Sequence, residues 1–113
     1  MGYRKISPLE SAKSLKTPWT QLKLGWVENY DLKVAVYHGE YNRHVHERHD
    51  EFIYVLSGTI HIEFDSDDVT LGPGEGIVIG NGTAHKSSCG GRAEVLLFEK
   101  DTIMDDYVKL EDK

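Results

Sequence analysis

From Leu22 onward the apolar residues come in short runs, and their spacing predicts extended chain rather than helix. Thr59–Phe64 alternates cleanly, sending Ile60, Ile62 and Phe64 to one face and His61 and Glu63 to the other. Leu32–Tyr37 is rich in β-branched and aromatic residues, and Val69–Leu71 is a shorter run of the same kind. Phe52–Leu56, Gly76–Ile79 and Val95–Phe98 are apolar at both parities, the pattern of strands covered on two sides. Turn signals separate the runs: Leu56-Ser57-Gly58, Asp65-Ser66-Asp67-Asp68, Gly72-Pro73-Gly74, Gly80-Asn81-Gly82 and Cys89-Gly90-Gly91. Short strands punctuated at this pace predict an all-β fold, an antiparallel barrel or jelly roll.

The first twenty residues follow a different rhythm. Ser7-Pro8-Leu9-Glu10 has the form of a capping box with proline at the first helical position. Leu9, Ala12 and Leu15 recur at helical spacing, and Pro18 stops the pattern at Thr17. A short N-terminal helical segment over 7–17 is therefore expected, too short to stand without a surface to dock on. The chain divides into an N-terminal arm (1–20), a barrel (21–100) and a C-terminal tail (101–113). The helix and Trp19 are expected to cover the strand face bearing Phe52, Tyr54 and Leu56. With Val78, Leu96 and Phe98 on the same outer surface, the apolar area exceeds what that cover can hide, which predicts a two-fold homodimer.

Length and charge narrow the role. The 113 residues make one domain. A net charge of −6, with lysines and arginines scattered, argues against a nucleic-acid partner. No run of apolar residues is long enough for a membrane helix, and no signal-peptide pattern opens the chain. The single cysteine, Cys89, excludes an internal disulfide framework. A cytoplasmic location and no membrane partner are the resulting expectations.

The chemistry centres on His44-Val45-His46, because residues two apart on a strand project to one side. Glu51 follows His46 at an odd offset, and a turn or bulge through Arg48-His49-Asp50 would bring it to the same face. His85 comes just after the Gly80-Asn81-Gly82 turn. Three imidazoles and one carboxylate suit one divalent metal ion among Fe, Mn, Ni, Co or Zn, and offer little to calcium or magnesium. His38 and His61 read as partly buried polar residues, and Tyr37 and Tyr41 as core or interface. Asn42 is a candidate for the pocket mouth and Ser87 for a supporting position beside His85. His49 reads as a turn residue that could swap in as a ligand, and Cys89 as a bystander thiol.

At these residues the chain resembles the cupin superfamily. One motif runs from Gly39 through His44, His46 and Glu51 to Gly58, and a second through Gly74, Gly82 and His85. Gly80 stands where the family usually has proline, and Cys89 where it often has asparagine. The likeness extends from Trp19 to Glu99, and with its Leu71–Glu75 turn and Val95–Glu99 strand it resembles small single-domain cupins of the mannose-6-phosphate isomerase-like, cupin 2 type. The resemblance implies a jelly-roll barrel with His44, His46, Glu51 and His85 as metal ligands.

Four protein ligands leave one or two coordination positions for a small molecule. A metal-dependent enzyme on a small oxygenated substrate, a dioxygenase or an isomerase, is the leading expectation. A non-catalytic module sensing a small ligand or metal is the alternative, and a barrel merely stapled by its metal a third. No Ser/His/Asp order or phosphate-binding loop appears, and few basic residues lie near the motifs, which disfavours a phosphosugar.

Overall fold

The computed structural model describes residues 2–112, beginning with a helix, α1 (Pro8–Lys13). Nine strands follow: β1 (Gln21–Val27), β2 (Tyr30–Glu40), β3 (His44–His46), β4 (Glu51–Ser57), β5 (Ile60–Glu63), β6 (Asp68–Leu71), β7 (Gly76–Ile79), β8 (Lys86–Lys100) and β9 (Tyr107–Lys109). A 3-10 turn, Ile103–Asp106, precedes β9. Every strand pairing is antiparallel. Thr59–Phe64 alternates as the sequence predicts, with Ile60 and Ile62 inside and His61 and Glu63 outside, whereas Gly76–Ile79, expected to be covered on two sides, buries Ile79 and leaves Val78 exposed.

The long strand β8 is the spine of the molecule. Its second half lies between β2 and β4 in the layer β1-β2-β8-β4-β7. Its first residues instead pair with β5, which in turn pairs with β6. The switch falls at Cys89-Gly90-Gly91, where the sequence suggests a turn. The structure corrects this: the strand runs on, and a register shift against β2 between Tyr37 and Gly39 absorbs the extra residues. Backbone pairing resumes on both sides, so the glycines serve a bulge that bends the strand and not a reversal.

The interior between the layers is filled by Ile53, Val55, Ile60, Ile62, Leu71, Ile79, Val95 and Leu97. Gly58, at the turn from β4 into β5, has a φ of +87°, and a Cβ there would lie 2.5 Å from the Arg92 carbonyl oxygen. Only glycine meets both conditions without strain.

Helix α1 is shorter than the sequence suggests, ending at Lys13, and the Ser7 side chain makes no capping hydrogen bond. Pro8 still sets the first turn. Arg92 closes the other end, its Nη2 donating to the Ala12 and Lys13 carbonyls. The helix packs on the outer sheet face: Ala12 is fully buried against Leu24 and Val34, with Ile6, Leu15, Leu56 and Leu96 around them. Trp19 does not join this cover. It sits in the left-handed region (φ 67°), its N–H bonds to the Val36 carbonyl, and its ring lies against Tyr37 and Tyr41 on the inner side. The chain crosses the sheet edge there, carrying the indole from the outer face to the inner one.

Beyond the helix, the outer face keeps an aromatic strip. Tyr30 stacks on Phe98 and Phe52 on Tyr54, all partly exposed, and Val78 is 71% exposed beside them. No helix among the described residues is long and apolar enough to cross a membrane.

Candidate metal centre

Strand β3 holds His44 and His46 on one face, both buried, with Val45 on the other. An antiparallel bridge joins His44 to His85: each N–H donates to the other's carbonyl at 3.0 Å, and the two ring centroids stand 4.4 Å apart. Glu51, the first residue of β4, reaches the same place because the loop 47–50 takes up the odd offset. Asp50 accepts from the backbone and side-chain N–H groups of Asn81 at 2.8 and 2.9 Å, and Gly82 N–H donates to the His46 carbonyl at 2.7 Å. These bonds lock the turn before His85 to the strand of the other two histidines. They supply the constraint that proline at position 80 would have given.

Among the described residues, His44, Glu51 and His85 form a group that could hold a metal ion, with ligand atoms all within 4.8 Å of one another. His46 falls outside that group, but its ring lines the same cavity, 5.3 Å from that of His44.

The histidine tautomers follow from their partners. Nδ1 of His44 faces the Asn42 carbonyl at 2.9 Å, Nδ1 of His46 the Ile103 carbonyl at 3.0 Å, and Nδ1 of His85 the Thr83 carbonyl at 3.0 Å. A carbonyl only accepts, so each Nδ1 carries the proton and each Nε2 keeps its lone pair. His85 Nε2 then stands 2.9 Å from Glu51 Oε1, a buried oxygen with no hydrogen bond of good geometry. Two acceptors at this distance need a positive charge between or beside them. Cis ligands on an octahedral ion, each bonded at about 2.1 Å, stand about 3 Å apart, so the donor set and its spacing fit a transition metal.

Without an ion, a proton serves. Burial disfavours a charged His85, but the contact with Glu51 and its charge outweigh this and raise the imidazole's pKa. Burial likewise opposes a charged Glu51, yet His85, with His46 and His44, holds its carboxyl below the ordinary range. His44 is lowered, chiefly by burial.

The cavity in front of these groups has a volume of about 60 Å³ and is walled by Trp19, Tyr37, Tyr41, Ile53, Leu97, Met104 and Tyr107. Gln21, Ser87 and Glu99 add polar groups, and among the described residues no lysine or arginine lines it. Burial, then the Glu51 charge, raises the Glu99 carboxyl, against the pull of Lys33 at 3.1 Å. Burial, then the charges of Glu51 and Glu99, pushes the Tyr37 phenol well up.

Of the other residues singled out in the sequence, Ser87 is buried in the cavity wall and Asn42 contributes its carbonyl to His44 and its amide to the Tyr107 hydroxyl at 3.1 Å. Tyr37 and Tyr41 line the cavity. His49 is tied to Asp106 and Thr102, while His38 and His61, expected to be partly buried, are exposed, one bonded to the Gly91 carbonyl and the other to the Thr70 hydroxyl. Cys89 is buried, and burial raises its thiol. Trp19's place at the cavity, Glu99, and the segment 103–109 have no counterpart in the sequence reading. That segment runs beside the histidine strand, pairing His44 with Lys109 and His46 with Tyr107. Tyr107 and Val108 are β-prone residue types, but nothing in so short a stretch indicates its partner.

Known proteins agree with this architecture. The uncharacterized protein YdbB of Bacillus subtilis (strain 168) is 30% identical over 80 residues, covering 70% of this chain and 71% of that one. A cupin-2 domain containing protein from Shewanella frigidimarina superposes with a TM-score of 0.81 at 26% identity, over 84% of this chain and 93% of that one. Hydroquinone 1,2-dioxygenase PnpCD, solved with Cd2+ and 4-hydroxybenzonitrile, shares the fold at a TM-score of 0.73 and 19% identity, over 83% of this chain and 71% of that one. The family model of the cupin domain matches residues 33–99, which include His44, Glu51 and His85, and this chain belongs to the cupin family.

Proposed function

We propose that this cupin binds one divalent transition-metal ion through His44, His46, Glu51 and His85 and uses it to bind, and to act on, a small oxygenated molecule. The observation that carries the reading is the buried pair His85 Nε2 and Glu51 Oε1, two acceptors 2.9 Å apart with His44 beside them. Fe, Mn, Ni, Co and Zn all suit three imidazoles and a carboxylate. The bound ion would supply Lewis acidity or an electron.

The chain's own residues shape what enters. The cavity of about 60 Å³ in front of these ligands suits a small molecule. Its aromatic walls favour a small, flat or compact ligand, and the absence of lining cations among the described residues disfavours a phosphosugar. Glu99 and Ser87 lie where they could accept or hold a proton of the ligand. The dioxygenase PnpCD, whose structure holds a metal ion and a phenolic ligand in the same fold, supports placing this chain with oxygen-ligand chemistry. The strip of Tyr30, Phe52, Tyr54, Val78 and Phe98 supports a homodimer built on the outer face.

The test is elemental analysis of protein purified without added metal, with His46→Ala and His85→Ala beside the wild type. Near-stoichiometric metal in the wild type and its loss in both variants is expected. Unchanged occupancy in both variants would refute the assignment.

A further inference from the structure

Asp106 comes from the far end of the chain, yet its buried carboxylate is spent wholly on the histidine loop. Oδ1 lies 3.2 Å from His46 Nδ1, and Oδ2 accepts from His49 Nδ1 at 2.8 Å and from the Arg48 backbone N–H. Ile103, three residues earlier and 2% exposed, places its carbonyl 3.0 Å from the same His46 Nδ1. His44 and His85 each have a backbone carbonyl alone on Nδ1. His46 has a carbonyl and a carboxylate, and it is also the histidine outside the tight group. A latch for the C-terminal segment would need only the Arg48 and His49 bonds. The oxygen aimed at His46 needs another reason.

We infer that Asp106 is a positioning residue for the metal centre, fixing the His46 ring with Nε2 as its donor atom. A carboxylate on the distal N–H of a ligating imidazole polarises the ring and fixes its orientation. A buried carboxylate is retained only when its oxygens are satisfied, and here three donors from residues 46–49 satisfy it.

The inference rests on the metal reading, in which His46 is a ligand, and the experiment separates the two. Full-length wild type, Asp106→Asn, Asp106→Ala and the exposed control Asp105→Asn are titrated with Co2+ against a competing chelator, and their visible spectra are recorded. Long-range 1H–15N spectra of the metal-free proteins report the His46 ring nitrogens. Asp106→Asn should weaken Co2+ binding by about 10-fold and Asp106→Ala by up to about 100-fold, with an altered visible spectrum. The His46 ring shifts should move in both and stay put in Asp105→Asn. Asp106→Asn with wild-type affinity and unchanged His46 shifts would overturn the inference, even if it melts lower, because Asp106 would then be a latch only. A wild type that takes up no Co2+ overturns the metal reading, and the ring shifts of Asp106→Asn, which keeps the side chain's shape, still judge the positioning role.

Discussion

Gly58→Ala should be the most damaging single methyl group that can be added to a glycine of this chain. The backbone at Gly58 has a φ of +87°, and the new Cβ would lie 2.5 Å from the Arg92 oxygen and 2.8 Å from both Cα and Cβ of Ala93. Left-handed backbone costs an L-residue about 1–2 kcal/mol, and forcing a methyl into packed backbone adds about 1–3 kcal/mol. The sum, about 2–5 kcal/mol, lowers the melting temperature of a domain this size by about 8–20 °C. Two other glycines separate the contributions. Gly39 also has positive φ (+80°) but open space around it, so Gly39→Ala should show the strain alone, about 1–2 kcal/mol. Gly90 has neither restriction, and Gly90→Ala should change stability by no more than about 1 kcal/mol. Thermal unfolding followed by circular dichroism, on metal-free protein at one pH, gives the order. Gly58→Ala melting within a few degrees of the wild type, or above Gly39→Ala, would show the reasoning about this turn to be wrong.

The metal-free protein should lose stability as pH rises above 6.5, because the His85 pKa is raised in the fold: its contribution is complete below 6.5 and disappears through the raised value. Metal uptake must displace that proton, so affinity rises with pH over the same window and calorimetry in two buffers of different ionisation enthalpy should detect proton release; uptake without any release would contradict it. Removing residues 1–14 should uncover Leu24, Val34, Leu56 and Leu96 and cost several kcal/mol, at about 1.5–3 kcal/mol per side chain re-exposed, read as a lower melting temperature; equal heat resistance would mean the helix is a passive cover. Light scattering at low micromolar concentration should give twice the chain mass, with Val78→Asp reducing it, whereas a wild-type mass near 12.8 kDa would leave the outer aromatic strip without a partner copy.

The sequence by itself determined the strands, because a half-buried strand writes its two faces as alternation and a doubly covered one as an unbroken apolar run. It also put His44 and His46 on one face, since two residues two apart on a strand share a face whatever surrounds them, while Glu51 and His85 entered as ligands through the resemblance to cupins. What it could not specify was anything that depends on distant segments meeting. Gly90 and Gly91 look like a turn, and only the pairing of β8 with β2 and β5 makes them a bend inside one strand. Ser7 and Glu10 have the spacing of a capping box, but the helix docks through Ala12 and closes on Arg92 instead. Trp19 has the composition of a cover for the outer face, and a crossing at the sheet edge sends it to the cavity. Asp106 lies 60 residues from His46, in a stretch that the sequence marks only as a C-terminal tail. Its role exists only because β9 pairs with β3, and such a pairing leaves no periodicity in either segment to find it by.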